Sequence, residues 1–153
     1  MRHAKHTILA LVIASGFAFA ANTVVDLSSV KDVPGIQKIS ATISIPGKPV
    51  VSFEMGKYIL ALGRLEWMLE RSYDGTFDAQ KKIDLEFFES KKVIEQKPNL
   101  VIYQSSFMGS KSVRFLMFKN VAGGVFCRTR AVDSTLAEVQ TMVKACDTLA
   151  AKK

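Results

Sequence analysis

Apolar and polar positions alternate most regularly in the last third of the chain. Leu100 to Phe107, Val113 to Lys119 and Val125 to Val132 are rich in β-branched and aromatic residues, separated by Met108-Gly109-Ser110 and by Asn120 to Gly124. That pattern predicts three antiparallel strands joined by turns. Asp133-Ser134-Thr135 then offers helix caps, and Thr135 and Glu138 are spaced as a capping box. Leu136, Val139, Val143, Cys146 and Ala150 follow on one face of a closing helix.

Further upstream, Ile39, Ala41, Ile43 and Ile45 alternate with Ser40, Thr42 and Ser44, the period of a half-buried strand. Pro46-Gly47-Lys48-Pro49 breaks it, and Val50 to Met55 resumes as a second short strand, giving a hairpin or two strands joined by an irregular turn. Ala21 to Gly35 has no sustained period and reads as an extended arm or a short strand. From Lys57 to Tyr73 the apolar Tyr58, Ile59, Leu62, Leu65, Leu69 and Tyr73 recur at spacings of three and four, while Lys57, Arg64 and Arg71 share another face. A helix is favoured there; Gly63 weakens it by about 1 kcal/mol of propensity and leaves a strand from Tyr58 to Leu62 open. Asp74-Gly75 marks a turn. In Phe77 to Gln96, Ile83, Leu85 and Phe87 alternate as in a strand while Ile83, Phe87 and Ile94 fit a helix, so helix is expected at the two ends of the segment. The expected fold class is α+β, an antiparallel sheet of about five to six strands packed by two or three helices.

The first twenty residues follow a different pattern. Arg2, His3, Lys5 and His6 make a basic start, Thr7 to Ala20 is apolar throughout, and Ala18 and Ala20 place small residues at −3 and −1. These are the parts of a cleavable export signal, with cleavage expected before Ala21. The apolar run is shorter than the roughly 20 residues that span a bilayer. No Cys lies near the cut, as a lipid-modified signal would require, and no twin arginine is present. The expected organisation is a signal at 1–20 and one domain at 21–153, delivered by a Sec-type route to the periplasm or beyond, with no stable membrane span.

Removal of the signal changes the composition. Of 153 residues, 133 remain, with 19 basic side chains against 14 acidic, a charge of +5. Both His lie in the signal, so the mature chain contains none. That removes histidine-based triads and the commonest imidazole ligand of zinc. Cys127 and Cys146 are the only cysteines, an even number in an exported chain, and are expected to be joined. The alternatives are two free thiols or a two-Cys metal site with carboxylates, which lacks the paired-ligand spacing of zinc proteins. On the last strand Val125, Cys127, Thr129 and Ala131 share one face, so the bridge would clamp the C-terminal helix to the last strand. Phe126, Arg128 and Arg130 then point the other way.

Three short patterns resemble catalytic or ligand-binding signatures and fail on their context. Ser28-Ser29-Val30-Lys31 has the Ser-x-x-Lys spacing, without the Ser-Asp-Asn or Lys-Thr-Gly that penicillin-recognising enzymes need. Gly109-Ser110-Lys111-Ser112 lacks the Gly-Lys pair and the upstream Gly of a phosphate-binding loop and reads as a β-turn. Glu66, Glu70, Asp74, Asp78, Asp84, Glu86, Glu89 and Glu95 crowd into thirty residues, but no calcium loop occurs among them and solvated faces account for most. No cofactor, metal site or catalytic residue is expected.

Charge is unevenly spread. Residues 21–96 carry ten basic and eleven acidic side chains, and 97–153 carry nine and three. Lys111, Arg114, Lys119, Arg128 and Arg130 fall on the last three strands. If Arg114, Arg128 and Arg130 share a face with Leu116, Phe118 and Phe126, that face suits an acidic protein partner. The same residues also suit the solvated side of a covered sheet. Nucleic acid is disfavoured by the compartment.

The run VRFLMFKN, AGG, VFCRTRAV and STLAEVQTMVKACDTL, within Leu100 to Leu149, resembles the small α/β/α sandwich of the PsbP/Mog1-like family. The front half departs from it at the helix favoured over 57–73. The resemblance implies an accessory or binding role without catalysis and carries over no functional residue. Small size, a cleavable signal, one disulfide and no catalytic apparatus are also similar to periplasmic immunity proteins. The expected function is an exported protein-binding domain, inhibitor, immunity or accessory, with Arg114, Phe126, Arg128 and Arg130 as the contact residues. A carrier of a small apolar ligand, using the region of Trp67, Met68, Phe87 and Phe88, is the alternative. An enzyme working through carboxylates, Tyr, Ser or Lys is the third reading.

Overall fold

The computed structural model describes residues 21–31, 33–35, 38–71, 76–87, 92–106, 113–130 and 133–152. In chain order the elements are β1 (Asn22–Asp26), β2 (Ala41–Pro46), β3 (Val50–Glu54), β4 (Lys57–Leu62) and β5 (Leu65–Arg71), then helix α1 (Phe77–Phe87). They continue with β6 (Lys92–Lys97), β7 (Leu100–Ser106), β8 (Val113–Val121), β9 (Val125–Thr129), helix α2 (Leu136–Asp147) and β10 (Ala150–Ala151). Seven strands form one antiparallel sheet in the order β3-β4-β5-β9-β8-β7-β6, and β1-β2-β10 form a second, also antiparallel. The class is α+β, as expected, with a larger sheet and a second small one.

One face of the large sheet carries Tyr58, Leu60, Trp67, Leu69, Leu100, Ile102, Met117, Val125 and Cys127. It packs against Val139, Met142, Ala145 and Cys146 of α2 and Ala41, Ile43 and Ile45 of β2. Cys127 and Cys146 are joined in a disulfide across this interface, with their Cα atoms 6.4 Å apart. On the opposite face Phe77 of α1 stacks on Phe118 with ring centroids 5.2 Å apart, and Phe118 meets Phe126 at 4.9 Å.

The closing helix begins as its sequence directs. Thr135 is the N-cap; its hydroxyl accepts from the Glu138 N–H, and its own N–H donates to Glu138 Oε2 at 2.7 Å. These bonds, first the one from the Thr135 backbone, hold the Glu138 carboxyl below its usual range, with Arg64 assisting at 2.7 Å. Its buried positions include Met142 and Ala145, while Ala150, expected in the helix, pairs with Thr42 in β10.

Two expectations change. The segment 57–71 is not the favoured helix, and the strand left open from Tyr58 to Leu62 is β4: β4 and β5 form a hairpin in which Leu62 faces Leu65 across Gly63 and Arg64. Gly63 takes φ 62°, a conformation that favours a residue without Cβ. Tyr58, Leu60, Trp67 and Leu69 alternate onto the core face. Ile59 and Met68, on the opposite face, are also buried, so two covered faces overlaid in one sequence read as helical spacing. The segment 77–96 is helical over Phe77–Phe87 but not at its far end, because Lys92–Lys97 is a strand that returns through Pro98 and Asn99 into β7. Of the two readings of β2 and β3, the irregular connection is found and not the hairpin: the Pro46-Gly47-Lys48-Pro49 segment carries the chain from the small sheet to the edge of the large one.

The proposed signal at 1–20, the expected turn at Met108-Gly109-Ser110, the Gly109-to-Ser112 pattern and the end of the third expected strand at 131–132 lie outside the described residues. Among the described residues no helix is long and apolar enough to cross a membrane.

The small sheet is closed by charge. Lys152 Nζ lies 2.6 Å from Asp26 Oδ2, and the Ser28 hydroxyl donates to Asp26 Oδ1 at 2.6 Å. The Lys152 bond, first, and those from Ser28 hold the Asp26 carboxyl at about 2, below its ordinary 3.8.

Two outcomes are expected. C127A/C146A loses on the order of 3 kcal/mol, read as a lower denaturant midpoint, and an unchanged midpoint contradicts a stabilising bridge. Because the Asp26 value is lowered on folding, its contribution is complete above pH 3.8 and disappears as the pH falls towards about 2. Midpoints measured across that window should therefore fall more steeply for the wild-type protein than for D26N.

Candidate functional site

Cross-strand register sets out the second face of the large sheet in rows. Ile59 is opposite Met68, Met68 opposite Arg128, and Arg128 opposite Phe118. Glu70 lies opposite Phe126 in the next row, and on the other side the Arg130 N–H donates to the Glu66 carbonyl at 3.1 Å. α1 covers the part of this face around Phe118 and Phe126. Over β4, β5 and β9 the face forms a cleft of about 270 Å³.

The floor of the cleft is apolar, with Ile59, Met68, Leu116 and Tyr103, and its sides are charged, with Glu54, Lys57, Arg128 and Arg130. The charges alternate. Glu70 bridges Lys57 at 2.7 Å and Arg128 at 3.4 Å, and Arg130 reaches Glu66 at 3.4 Å and Glu54 at 3.5 Å. The Arg130 contacts are long and its side chain is 42% exposed, so its carboxylate partners are exchangeable at little cost. Glu70, at 13%, is the more enclosed and holds two cations at once.

The four residues singled out by sequence do share this face, but only two line the cleft. Arg128 and Arg130 stand at it. Phe126 is 4% exposed and packs with Phe118 beneath α1, and Arg114, opposite Ser105, is 5% exposed. Alternation gives the face a residue points to, and the helix that covers that face is set by tertiary packing. Lys119 points to the other face, where it is buried and paired with Asp147 at 2.8 Å. Lys111 lies outside the described residues.

Lys57, Arg64 and Arg71 do not gather on one face. Lys57 bonds Glu70, Arg64 bonds Glu138, and Arg71 donates to the Lys38 carbonyl at 3.1 Å. The proposed apolar carrier region also separates. Trp67 is buried in the core beside α2, Met68 faces the cleft on the opposite side, and the Phe87 side chain and Phe88 lie outside the described residues. The Ser28 hydroxyl is committed to the Asp26 turn.

Of the crowded carboxylates, Glu66 and Glu70 pair with cations that line the cleft. Asp78, Glu86 and Glu95 pair with Lys81, Lys82 and Lys97. Asp74, Glu89 and the Asp84 side chain are outside the described residues. Among the described residues no group of three or more His, Cys, Asp or Glu could hold a metal ion.

Sequence reasoning passed over Glu54, Lys57 and Ile59 as site residues, and it weighed Glu66 and Glu70 only as part of a carboxylate cluster. Their signal was the alternation Lys57-Ile59 and Glu66-Met68-Glu70, hidden by the helical reading of the segment. No family model, curated protein or solved structure matches the chain.

E70Q leaves Lys57 and Arg128 without their shared carboxylate. The expected loss is about 1–2 kcal/mol in denaturant unfolding, less than for a fully buried pair because both cations reach water. An unchanged midpoint would show that the network contributes nothing to stability.

Proposed function

We propose that this chain is an exported domain without enzymatic activity that binds another protein, as an inhibitor, an immunity protein or an accessory subunit. The reading rests on the cleft. An apolar floor with a rim of ion pairs has the anatomy of a recognition surface, and arginine beside buried apolar groups is enriched among residues that dominate binding energy. Arg130 supplies the exchange: carboxylates of a partner can replace Glu54 and Glu66 at its guanidinium, which favours an acidic patch on the partner. Export to the periplasm is supported by the signal-like 1–20 segment and by the disulfide, which persists in oxidising compartments. A small apolar ligand is less favoured, because a cleft of about 270 Å³ lies below the roughly 300–1,000 Å³ usual for ligand pockets.

The test is capture from periplasmic extract on immobilised wild-type protein and on R128E/R130E. A stoichiometric protein retained by the wild type and lost at least about tenfold by the variant is the expected result, equivalent to about 1.4 kcal/mol. Equal retention by both sinks the assignment of the cleft. A small molecule held by the wild-type protein in native mass spectrometry, with no protein captured, moves the function to a carrier.

A further inference from the structure

The two edges of the large sheet are treated differently. β6, at one end, is broken by a bulge between Val93 and Glu95 and carries Lys92 and Lys97 at its ends, features that discourage edge-to-edge pairing. β3, at the other end, pairs with β4 in unbroken register from Val50↔Ala61 to Glu54↔Lys57. Its five residues, Val-Val-Ser-Phe-Glu, include no Lys, Pro or Gly, and their one charge is turned towards Arg130. Among the described residues no strand pairs with its outer side.

Two exposed apolar side chains flank the same strand. The two most exposed large apolar side chains among the described residues are Met55 at 98% and Val50 at 69%, one at each end of β3. Met55 also has φ 47° in a hairpin turn whose usual occupants are Asn, Asp and Gly. An apolar residue in a strained, fully exposed position suggests a role outside the isolated chain.

We infer that β3 is the docking edge for a second copy of this chain, the two strands pairing antiparallel about a two-fold axis at Ser52. The strand is its own complement about that axis. Val51 falls opposite Phe53 of the other copy on the core face, where both residues already pack against the main hydrophobic cluster, so the two cores become continuous. On the other face Ser52 meets Ser52, Val50 meets Glu54, and each exposed Val50 end comes to the Met55 end of the other copy. No like charges oppose one another. Pro49 and Gly56 bracket the ladder, which limits it to the five residues of each strand. So short an interface falls below the usual size of stable complexes, and association in the micromolar range or weaker is expected. Glu54 and Met55 also line the cleft, but the inference rests on the free strand edge and not on the proposed partner.

Sedimentation equilibrium of the purified protein between about 10 μM and about 1 mM should show a monomer–dimer equilibrium. S52K and S52E place like charges at the axis, and V50E sets a second carboxylate opposite Glu54 of the other copy. Each should weaken the dimer at least about tenfold while far-UV circular dichroism and the denaturation midpoint stay close to wild type. An equimolar mixture of S52K and S52E should regain the dimer, because the axis sets the two substituted positions opposite one another. Wild-type protein that stays monomeric to about 1 mM, or a dimer that S52K and V50E leave intact, overturns the proposal.

Discussion

The pairing of β5 with β9 holds the large sheet together. It is the ladder that joins the front hairpin strands β3, β4 and β5 to the C-terminal strands β6 to β9. Its register places Leu69 opposite Cys127 on the core face and Met68 opposite Arg128 on the other. The first of these contacts sits beside the disulfide that fastens α2, and the second is the middle of the cleft. A slip of one residue in this ladder would turn Cys127 away from Cys146 and Arg128 into the core, so one register fixes both the clamp and the site.

This ladder also explains the uneven charge of the sequence. The basic excess of residues 97–153 does not form an open cationic sheet. Across β5 and β9, Glu66 and Glu70 meet Arg130 and Arg128, and Glu54 reaches Arg130 from the edge hairpin. Acidic residues of the front half and basic residues of the back half become neighbours in space, and the surface they make is close to neutral. Recognition at such a surface works by exchange of paired charges more than by long-range attraction.

Much of the back half was legible because its signals are local. Thr135 and Glu138 are three residues apart and form a capping box whatever the rest of the chain does. The alternation in β7, β8 and β9 assigned Arg128 and Arg130 to the right face, and the cysteine count matched the bridge. The front half was less legible because its information is non-local. Tyr58, Ile59 and Leu60 are all buried, Ile59 at the floor of the cleft and the other two in the core, and that removes the polar positions from which a strand is recognised. The burial of Phe126 was hidden for a related reason, since the cluster that encloses it includes Phe77, nearly fifty residues away.

The small sheet has one more consequence. Its middle strand, β2, takes one partner from the start of the described chain and the other from its last residues, and the Asp26–Lys152 bond fastens the two outer strands across it. During synthesis the first partner precedes β2, while the second arrives only after the whole large sheet and α2 have emerged. Until then one side of β2 has free backbone groups, so β10 acts as a late-closing seal on the sheet.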